Sequence, residues 1–265
     1  MIERIPLPSL PDVTGMRLAV LLGNTSCRVA WMDGAEVVDE LRLSHAALRE
    51  RATAERLRAM HAGRACEAAG FCSVVPPREA EVLELFAAAG LPVPRRVTPA
   101  ITPFFPSRYR SMTTLGADRY CAVLAARVLV GAPAIAVDCG TATTVNVVDR
   151  DGSFLGGAIA PGVDVALRAL HAHTAQLPPL DPAAVPPLIG TDTATCMRSG
   201  AVQGSRFAIA GMVEAIKNLT GDSTPVLITG GGAPGLLAAG LAETSMRHDP
   251  HLCFRGVIFH LLFTA

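Results

Sequence analysis

The sequence contains two copies of one pattern, in which a short apolar run enters a turn of small residues and a second apolar run leaves it. The first copy is AVLLGNTSCRVA at residues 19–30, and the second is AVDCGTATTVNV at residues 136–147, 117 residues later. Each copy is predicted to be a β-hairpin, because turn-forming Gly, Asn and Thr separate the apolar runs. The repetition predicts two halves that open alike. The alternative is two hairpins of similar composition without a common purpose.

The two copies differ sharply in chemistry at one matched position, where the second has Asp138 and the first has Leu21. A carboxylate at the end of a buried strand is costly unless it binds a cation or accepts hydrogen bonds. We therefore expect Asp138 to hold a cation directly or through water. The alternative is a turn-forming aspartate that accepts hydrogen bonds from the N–H groups of its own loop.

Composition narrows the class of partner. The chain has 265 residues, half of them hydrophobic, which suffices for one large domain or two modest ones. Lys plus Arg and Asp plus Glu number 23 each, so we expect a small ligand and no nucleic acid. Acidic residues and prolines interrupt the N-terminal stretch, which predicts no signal peptide and no membrane segment. Seven cysteines without a C-x-x-C pair fit a reducing compartment, so a cytoplasmic protein is expected.

Strand and helix patterns alternate along the chain, which predicts an α/β fold. A leader at residues 1–16 is expected to precede an N-terminal domain at 17–115 and a C-terminal domain at 116–265. Proline-rich segments at 91–106 and 178–187 are predicted to be loops. The predicted strands cover residues 17–31, 36–43, 68–76, 134–149, 153–160 and 225–232, and the predicted helices cover 47–62, 78–90, 118–130, 161–177, 191–219, 234–244 and 249–265.

Two kinds of motif carry candidate chemistry. In LGADR, residues 115–119, Asp118 could accept a proton from an alcohol while Arg119 binds a carboxylate or phosphate. The alternative is a helix N-cap aspartate beside a solvent-facing arginine. The turns GNTS and GTATT offer backbone N–H groups and hydroxyls that suit a phosphate chain, or they are ordinary β-turns. Small-residue turns at 156–162 and 229–232 would let a nucleotide base and ribose approach the backbone.

Taken in order, LLGNT, SVVP, Y-x-x-x-x-x-LGADR, DCGTATT, GGAIAPG, TAQLP, IGTDT and TGGG resemble the type III pantothenate kinases of the acetate and sugar kinase, Hsp70 and actin superfamily. The resemblance runs from about residue 18 to residue 260. It implies an α/β fold of two duplicated ribonuclease-H-like (actin-like ATPase) domains facing a cleft, and a cytoplasmic homodimer. It also implies transfer of the ATP γ-phosphate to the primary hydroxyl of pantothenate, the first step of coenzyme A biosynthesis.

The resemblance also implies a role for each matching residue. Asp118 would be the general base. ATP would be bound by the first turn and by the second, Mg²⁺ would lie at its phosphates, and Asp138 would bind a monovalent cation, K⁺ or NH₄⁺. The pantothenate site would comprise Tyr109, Gly116, Ala117, Asp118 and Arg119, with Thr193 from the other half, and the ATP site would comprise Gly23, Asn24, Thr25 and Thr141.

One departure from the family pattern bears on catalysis. The first turn of the family reads D-x-G-N-T, and Leu21 occupies the position of that aspartate. Losing a carboxylate that orients the water shell of a metal lowers activity by about tenfold to a hundredfold. An alternative function is therefore a catalytically impaired homologue that binds nucleotide or pantothenate. A third is another phosphotransferase or phosphate hydrolase, because phosphate turns alone do not specify the acceptor.

Overall fold

The computed structural model describes residues 14–102, 105–182, 185–241 and 246–264. Most of the predicted leader lies outside these residues. Spatial contacts divide the chain into two compact units. The N-unit takes in the described residues of Pro6–Pro106, Arg110–Val128 and His251–Ala265, and the C-unit those of Ser107–Tyr109 and Leu129–Pro250. The domain boundary at 115/116 stays a prediction.

The N-unit is built on a five-stranded sheet with the order β3-β2-β1-β4-β5. Strands β1, β2 and β3 pair antiparallel, whereas β4 and β5 continue the sheet parallel to β1. Leu18, Val20 and Leu22 alternate along β1 and are buried in a core shared with the helices. The elements are β1 (Met16–Leu22), β2 (Cys27–Asp33), β3 (Glu36–Leu43), α1 (Arg51–His61), β4 (Ala68–Ser73), α2 (Glu79–Ala89), β5 (Arg95–Arg96), α3 (Ala117–Val130) and α7 (Leu252–Phe263).

The C-unit has a second five-stranded sheet, in the order β10-β9-β6-β7-β8. Its core includes Ile135 and Val137 from the central strand and Val213 from a long helix. The elements are β6 (Ala134–Cys139), β7 (Ala142–Val148), β8 (Phe154–Pro161), α4 (Val163–Ala172), α5 (Thr193–Thr220), β9 (Val226–Thr229), α6 (Ala233–Ala238) and β10 (Met246–His248).

The two sheets repeat one topology, so the predicted duplication is confirmed. Outward from β1 and from β6, the next two strands on one side are joined by antiparallel pairing, and the next two on the other side are joined by parallel pairing. Leu21 is the penultimate residue of β1, as Asp138 is of β6. Leu21 and Asp138 therefore occupy equivalent positions in the two sheets, and the sequence difference between them is a difference at one structural position.

Some predicted elements differ from the observed ones. Residues 95–96 lie in a segment predicted to be a loop, yet they form β5, and β10 was not predicted. Both are too short to show periodicity. Helix α4 ends at Ala172 rather than near residue 177, and α6 ends at Ala238, before Gly240 with its φ of 94°. None of the helices in the described part of the chain combines the length and the apolar character that crossing a membrane requires.

Candidate active site

The GNTS turn joins β1 to β2 in the N-unit. The Gly23 N–H donates to the Ser26 carbonyl at 3.0 Å, which closes the turn. His45 Nε2 lies 2.9 Å from the Gly23 carbonyl oxygen, so the imidazole donates to the turn from the segment that follows β3. Asn24 and Thr25 are exposed. The turn is therefore fixed through its backbone while these two residues stay accessible to a ligand. Sequence reasoning missed His45, because no local pattern marks it.

Asp118 lies in the first turn of α3, which begins one residue earlier at Ala117. The Tyr120 N–H donates to the Gly116 carbonyl at 3.0 Å and starts the helical hydrogen bonding. Asp118 Oδ1 accepts a hydrogen bond of 2.7 Å from the Arg119 backbone N–H. A Cβ on Gly116 would lie only 2.5 Å from this oxygen, so a side chain there would displace the carboxylate from its observed position. Arg119 is 6% exposed, and the alternative of a solvent-facing arginine is therefore wrong.

Burial raises the pKa of the Asp118 carboxyl, although the hydrogen bond from the Arg119 backbone and the charge of its guanidinium act in the opposite direction. A general base works best when its pKa approaches the pH at which it operates. The surroundings of Asp118 therefore shift its pKa in the direction that favours proton acceptance from an alcohol.

A set of thiols connects Asp118 with the strand that carries Leu21. Leu21 pairs with Cys72 across β1 and β4. Cys72 in turn hydrogen-bonds Cys121, which follows Asp118 by about one helical turn. Cys253 Sγ of α7 lies 4.0 Å from the Asp118 carbonyl oxygen. Leu21 and Asp118 are thus on the same side of the N-unit sheet, separated by small, buried thiols.

Three small-residue turns converge in the C-unit. The Gly232 N–H donates to the Cys139 carbonyl at 2.7 Å, which joins the TGGG turn to the end of β6. The Gly162 N–H donates to the Thr141 carbonyl at 3.0 Å, which joins the end of GGAIAPG to the GTATT turn. A Cβ on Gly162 would lie 2.7 Å from that same carbonyl oxygen. Turns that the sequence marks separately therefore form one backbone-rich surface, and Thr141 is exposed on it.

Asp138 borders this surface. A Cβ on Gly230 would lie 2.4 Å from Asp138 Oδ1 and 2.6 Å from the Cys139 carbonyl oxygen. Gly230 also has a φ of 93°, which disfavours residues with a side chain. Glycine at this position therefore lets the carboxylate and the end of β6 pack closely against the TGGG turn.

We expect Gly230→Ala to lower the free energy of unfolding by about 1–3 kcal/mol, because the alanine methyl would be strained and would press on the carboxylate. Chemical denaturation measures this effect. Gly211→Ala is the matched control, because Gly211 lies within α5 with nothing near its missing Cβ, and the change should stabilise by up to about 1 kcal/mol. Equal stability of the two variants would contradict the predicted strain.

Tyr109 and Thr193 both lie in the C-unit. The Tyr109 ring packs on Phe154, with ring centroids 5.4 Å apart. Thr193 is the first residue of α5 and is exposed, directly after the N-cap Asp192, which accepts a 2.8 Å hydrogen bond from the Thr195 N–H. Residues 23–25 and 116–119 belong to the N-unit, and a site common to the two sets stays a prediction.

Comparison with solved structures identifies the fold. A Baf-family protein from Campylobacter jejuni, described as a transcriptional activator, aligns with a TM-score of 0.58 at 17% identity, covering 93% of this chain and 98% of that one. An inorganic polyphosphate/ATP-glucomannokinase from an Arthrobacter strain aligns with a TM-score of 0.50 at 11% identity, covering 95% and 100%. With the repeated sheets, these likenesses define an α/β protein of two duplicated ribonuclease-H-like units, the actin-like ATPase class.

Sequence comparison identifies the family within that class. The family model for type III pantothenate kinase matches residues 17–215. The type III pantothenate kinase of Frankia alni is 35% identical over 248 residues, 91% of this chain and 97% of the relative. That of Acidothermus cellulolyticus is also 35% identical, over 91% and 96%. The chain belongs to the type III pantothenate kinase family, and it is therefore a kinase, a transferase that takes its phosphoryl group from ATP.

Proposed function

We propose that this chain transfers the γ-phosphoryl group of ATP to the primary hydroxyl of pantothenate and so forms 4'-phosphopantothenate, the first step of coenzyme A biosynthesis. The observation that carries the proposal is the family match over residues 17–215. That range includes both the Asp118 helix start and the Asp138 turn. The reaction needs an activated alcohol, an aligned phosphate chain and neutralisation of phosphate charge.

Asp118 is the general base in this proposal. Its carboxylate orients the pantothenate hydroxyl and accepts its proton, and the raised pKa supports that role. The transition state of phosphoryl transfer is loose, so the base mainly holds the alcohol in line with the γ-phosphate. The residues that line the pantothenate site are then Tyr109, Gly116, Ala117 and Arg119, with Thr193.

The phosphate chain of ATP is held by backbone N–H groups and hydroxyls. Asn24 and Thr25 supply them from the turn that His45 fixes, where Gly23 adds no side chain to obstruct the phosphates, and Thr141 supplies them from the converging turns of the C-unit. Fixed donors of this kind stabilise phosphate charge without having to reorganise during the reaction.

Asp138 is the proposed cation ligand. Its carboxylate is a hard oxygen donor at the end of β6, beside the converging turns of the C-unit, and such a donor suits K⁺ or NH₄⁺. Within the described ranges, no group of three or more His, Cys, Asp or Glu side chains could hold a metal ion. Mg²⁺ would therefore be held mainly by the phosphates of ATP and by water, with Asp138 as the carboxylate nearby. A bound cation neutralises charge on the phosphate oxygens.

We expect Asp138→Asn to lower kcat by about tenfold to a hundredfold and to raise the half-saturating K⁺ concentration, because the amide lacks the negative charge that attracts the cation. Initial rates at increasing K⁺ concentration measure both effects. Asp222→Asn, at an exposed aspartate after α5, is the control and should change neither. A K⁺ dependence that is unchanged in Asp138→Asn would contradict the assignment.

Cytoplasmic location and a homodimer are also part of the proposal. The family resemblance supports both, and the free cysteines fit a reducing compartment. The balanced charge of the chain gives no reason to expect nucleic acid as a partner. Sedimentation of the purified chain tests the dimer.

A panel of acceptors tests the substrate. Purified chain is given ATP, Mg²⁺ and K⁺ with pantothenate, glycerol or a hexose, and phosphorylated products are measured. We expect product from pantothenate only. Transfer to another alcohol, or release of phosphate alone, would instead support the third function, a different phosphotransferase or hydrolase. Binding of ATP or pantothenate in calorimetry without any turnover would support an impaired homologue, which Leu21 motivates and which no comparison supports.

A further inference from the structure

The segment that carries Tyr109 runs alongside β8. Ser107 forms a parallel bridge with Phe154, and the Arg108 N–H donates to the Phe154 carbonyl at 2.9 Å. The Tyr109 N–H donates to Ser107 Oγ at 3.1 Å. Residues 107–109 belong to no helix or strand. Besides these backbone contacts, the contacts of their side chains therefore fix the position of the segment.

The Tyr109 ring has a defined place on β8. Besides its contact with Phe154, it covers Gly156, where a Cβ would lie 3.3 Å from Tyr109 Cδ2. Gly156 has a φ of 114°, a conformation that favours glycine. The ring therefore lies against a position of β8 that carries no side chain.

Arg108 fastens the segment to the turn between β7 and β8. Its Nη1 lies 3.0 Å from Asp149 Oδ2, and its Nη2 forms a second ion pair with Asp151. The turn is itself ordered, because the Asp149 N–H donates to the Ser153 carbonyl at 2.9 Å and the Ser153 N–H donates to Asp151 Oδ1 at 2.9 Å. One guanidinium thus joins two carboxylates of a fixed turn.

The surroundings of Asp151 favour the charged form of its carboxyl group. Partial burial acts to raise the pKa of the Asp151 carboxyl, but hydrogen bonds from Ser153 and the charge of Arg108 outweigh it and hold the pKa below its usual range. A single exposed ion pair contributes little to global stability. A planar guanidinium that contacts two carboxylates adds geometric specificity, which is what a positioning role requires.

We propose that Arg108, through Asp149 and Asp151, is a positioning residue that holds Tyr109 in place for pantothenate. This inference rests on the proposed function. It assigns a role to the β7–β8 turn, which the sequence pattern does not mark. Because the ion pairs act on a binding residue and not on the reacting atoms, they govern the KM for pantothenate and leave kcat nearly unchanged.

Steady-state kinetics of four variants test the inference. We expect Arg108→Gln, and likewise the double variant Asp149→Asn/Asp151→Asn, to raise the KM for pantothenate by about threefold to tenfold, with kcat within about twofold of wild type. Arg108→Lys should recover part of the affinity, because an ammonium group keeps the charge without the planar fork. Arg168→Gln is the matched control, because it removes an exposed Arg–Asp pair on α4 of the same unit. It should change neither constant.

A second measurement does not depend on turnover. The chain has two tyrosines, Tyr109 and Tyr120, so fluorotyrosine labelling gives two ¹⁹F resonances that Tyr109→Phe assigns. We expect Arg108→Gln and high salt to shift or narrow the Tyr109 resonance and to leave that of the buried Tyr120 in place. Arg168→Gln should leave both resonances in place.

An unchanged Tyr109 resonance in Arg108→Gln would overturn the inference. So would a fall in kcat with an unchanged KM. If wild type did not phosphorylate pantothenate at all, the proposed function would fail, and the Tyr109 resonance alone would then decide the positioning role.

Discussion

Asp118→Asn is expected to lower kcat by about a hundredfold to ten-thousandfold, because asparagine cannot accept the proton of the pantothenate hydroxyl. The KM for ATP should change little, since the phosphate turns are untouched. Steady-state kinetics with pantothenate and ATP measure the effect. Glu84→Gln replaces an exposed carboxylate on α2 of the same unit and should retain full activity. Retention of wild-type kcat in Asp118→Asn would exclude Asp118 as the base.

The same variant is expected to be at least as stable as wild type near neutral pH. Because the folded-state pKa of Asp118 is raised, its contribution to stability is fully present below the unfolded-state pKa and is lost as pH rises through the folded-state pKa. Asparagine keeps an oxygen that can accept the Arg119 N–H bond without carrying the buried charge. Urea unfolding across pH should therefore show an advantage for Asp118→Asn that appears as the carboxyl ionises. A variant less stable than wild type at neutral pH would contradict the origin assigned to the pKa shift.

Leu21→Asp is expected to raise kcat by about tenfold to a hundredfold. Leu21 occupies in β1 the position that Asp138 occupies in β6, at the strand end that leads into the phosphate turn. A carboxylate there would orient water around the Mg²⁺ of ATP, which leucine cannot do. Leu21 is partly buried, so the change should also reduce stability by about 1–2 kcal/mol.

Initial rates at saturating substrate and a range of Mg²⁺ concentrations test this expectation. Leu83→Asp introduces the same residue at an exposed leucine of α2 and should leave kcat unchanged. A folded Leu21→Asp protein with no gain in rate would mean that the remaining groups already hold the metal, and the effect assigned to the missing carboxylate would be wrong.

Much of the fold could be predicted because its signals are local. Apolar alternation around the two Gly-containing turns predicted both hairpins, and residues 36–43 form a strand as expected. Gly90, the last residue of the helix predicted at 78–90, ends α2 in the left-handed conformation that glycine favours. The two-residue strand β5 could not be predicted, because its only definition is its pairing with β4, which is distant in sequence.

The candidate site was predictable in its parts and not in its assembly. Each small-residue turn is visible in the sequence, but the bond between Gly162 and Thr141 depends on how β8 returns to the end of β6. The burial of Arg119 depends on the packing of α3, and composition alone favoured a solvent-facing side chain. Likewise, no residue near Arg108 in the sequence indicates that its guanidinium forms an ion pair with Asp149.

The most direct test of the central claim is detection of 4'-phosphopantothenate formed by the purified wild-type chain from ATP and pantothenate with Mg²⁺ and K⁺, by ³¹P NMR, with Asp118→Asn as the blank. We expect a new phosphomonoester signal that grows with time in the wild type and stays near background in the variant. No product from a folded wild type under these conditions would contradict the proposed pantothenate kinase activity.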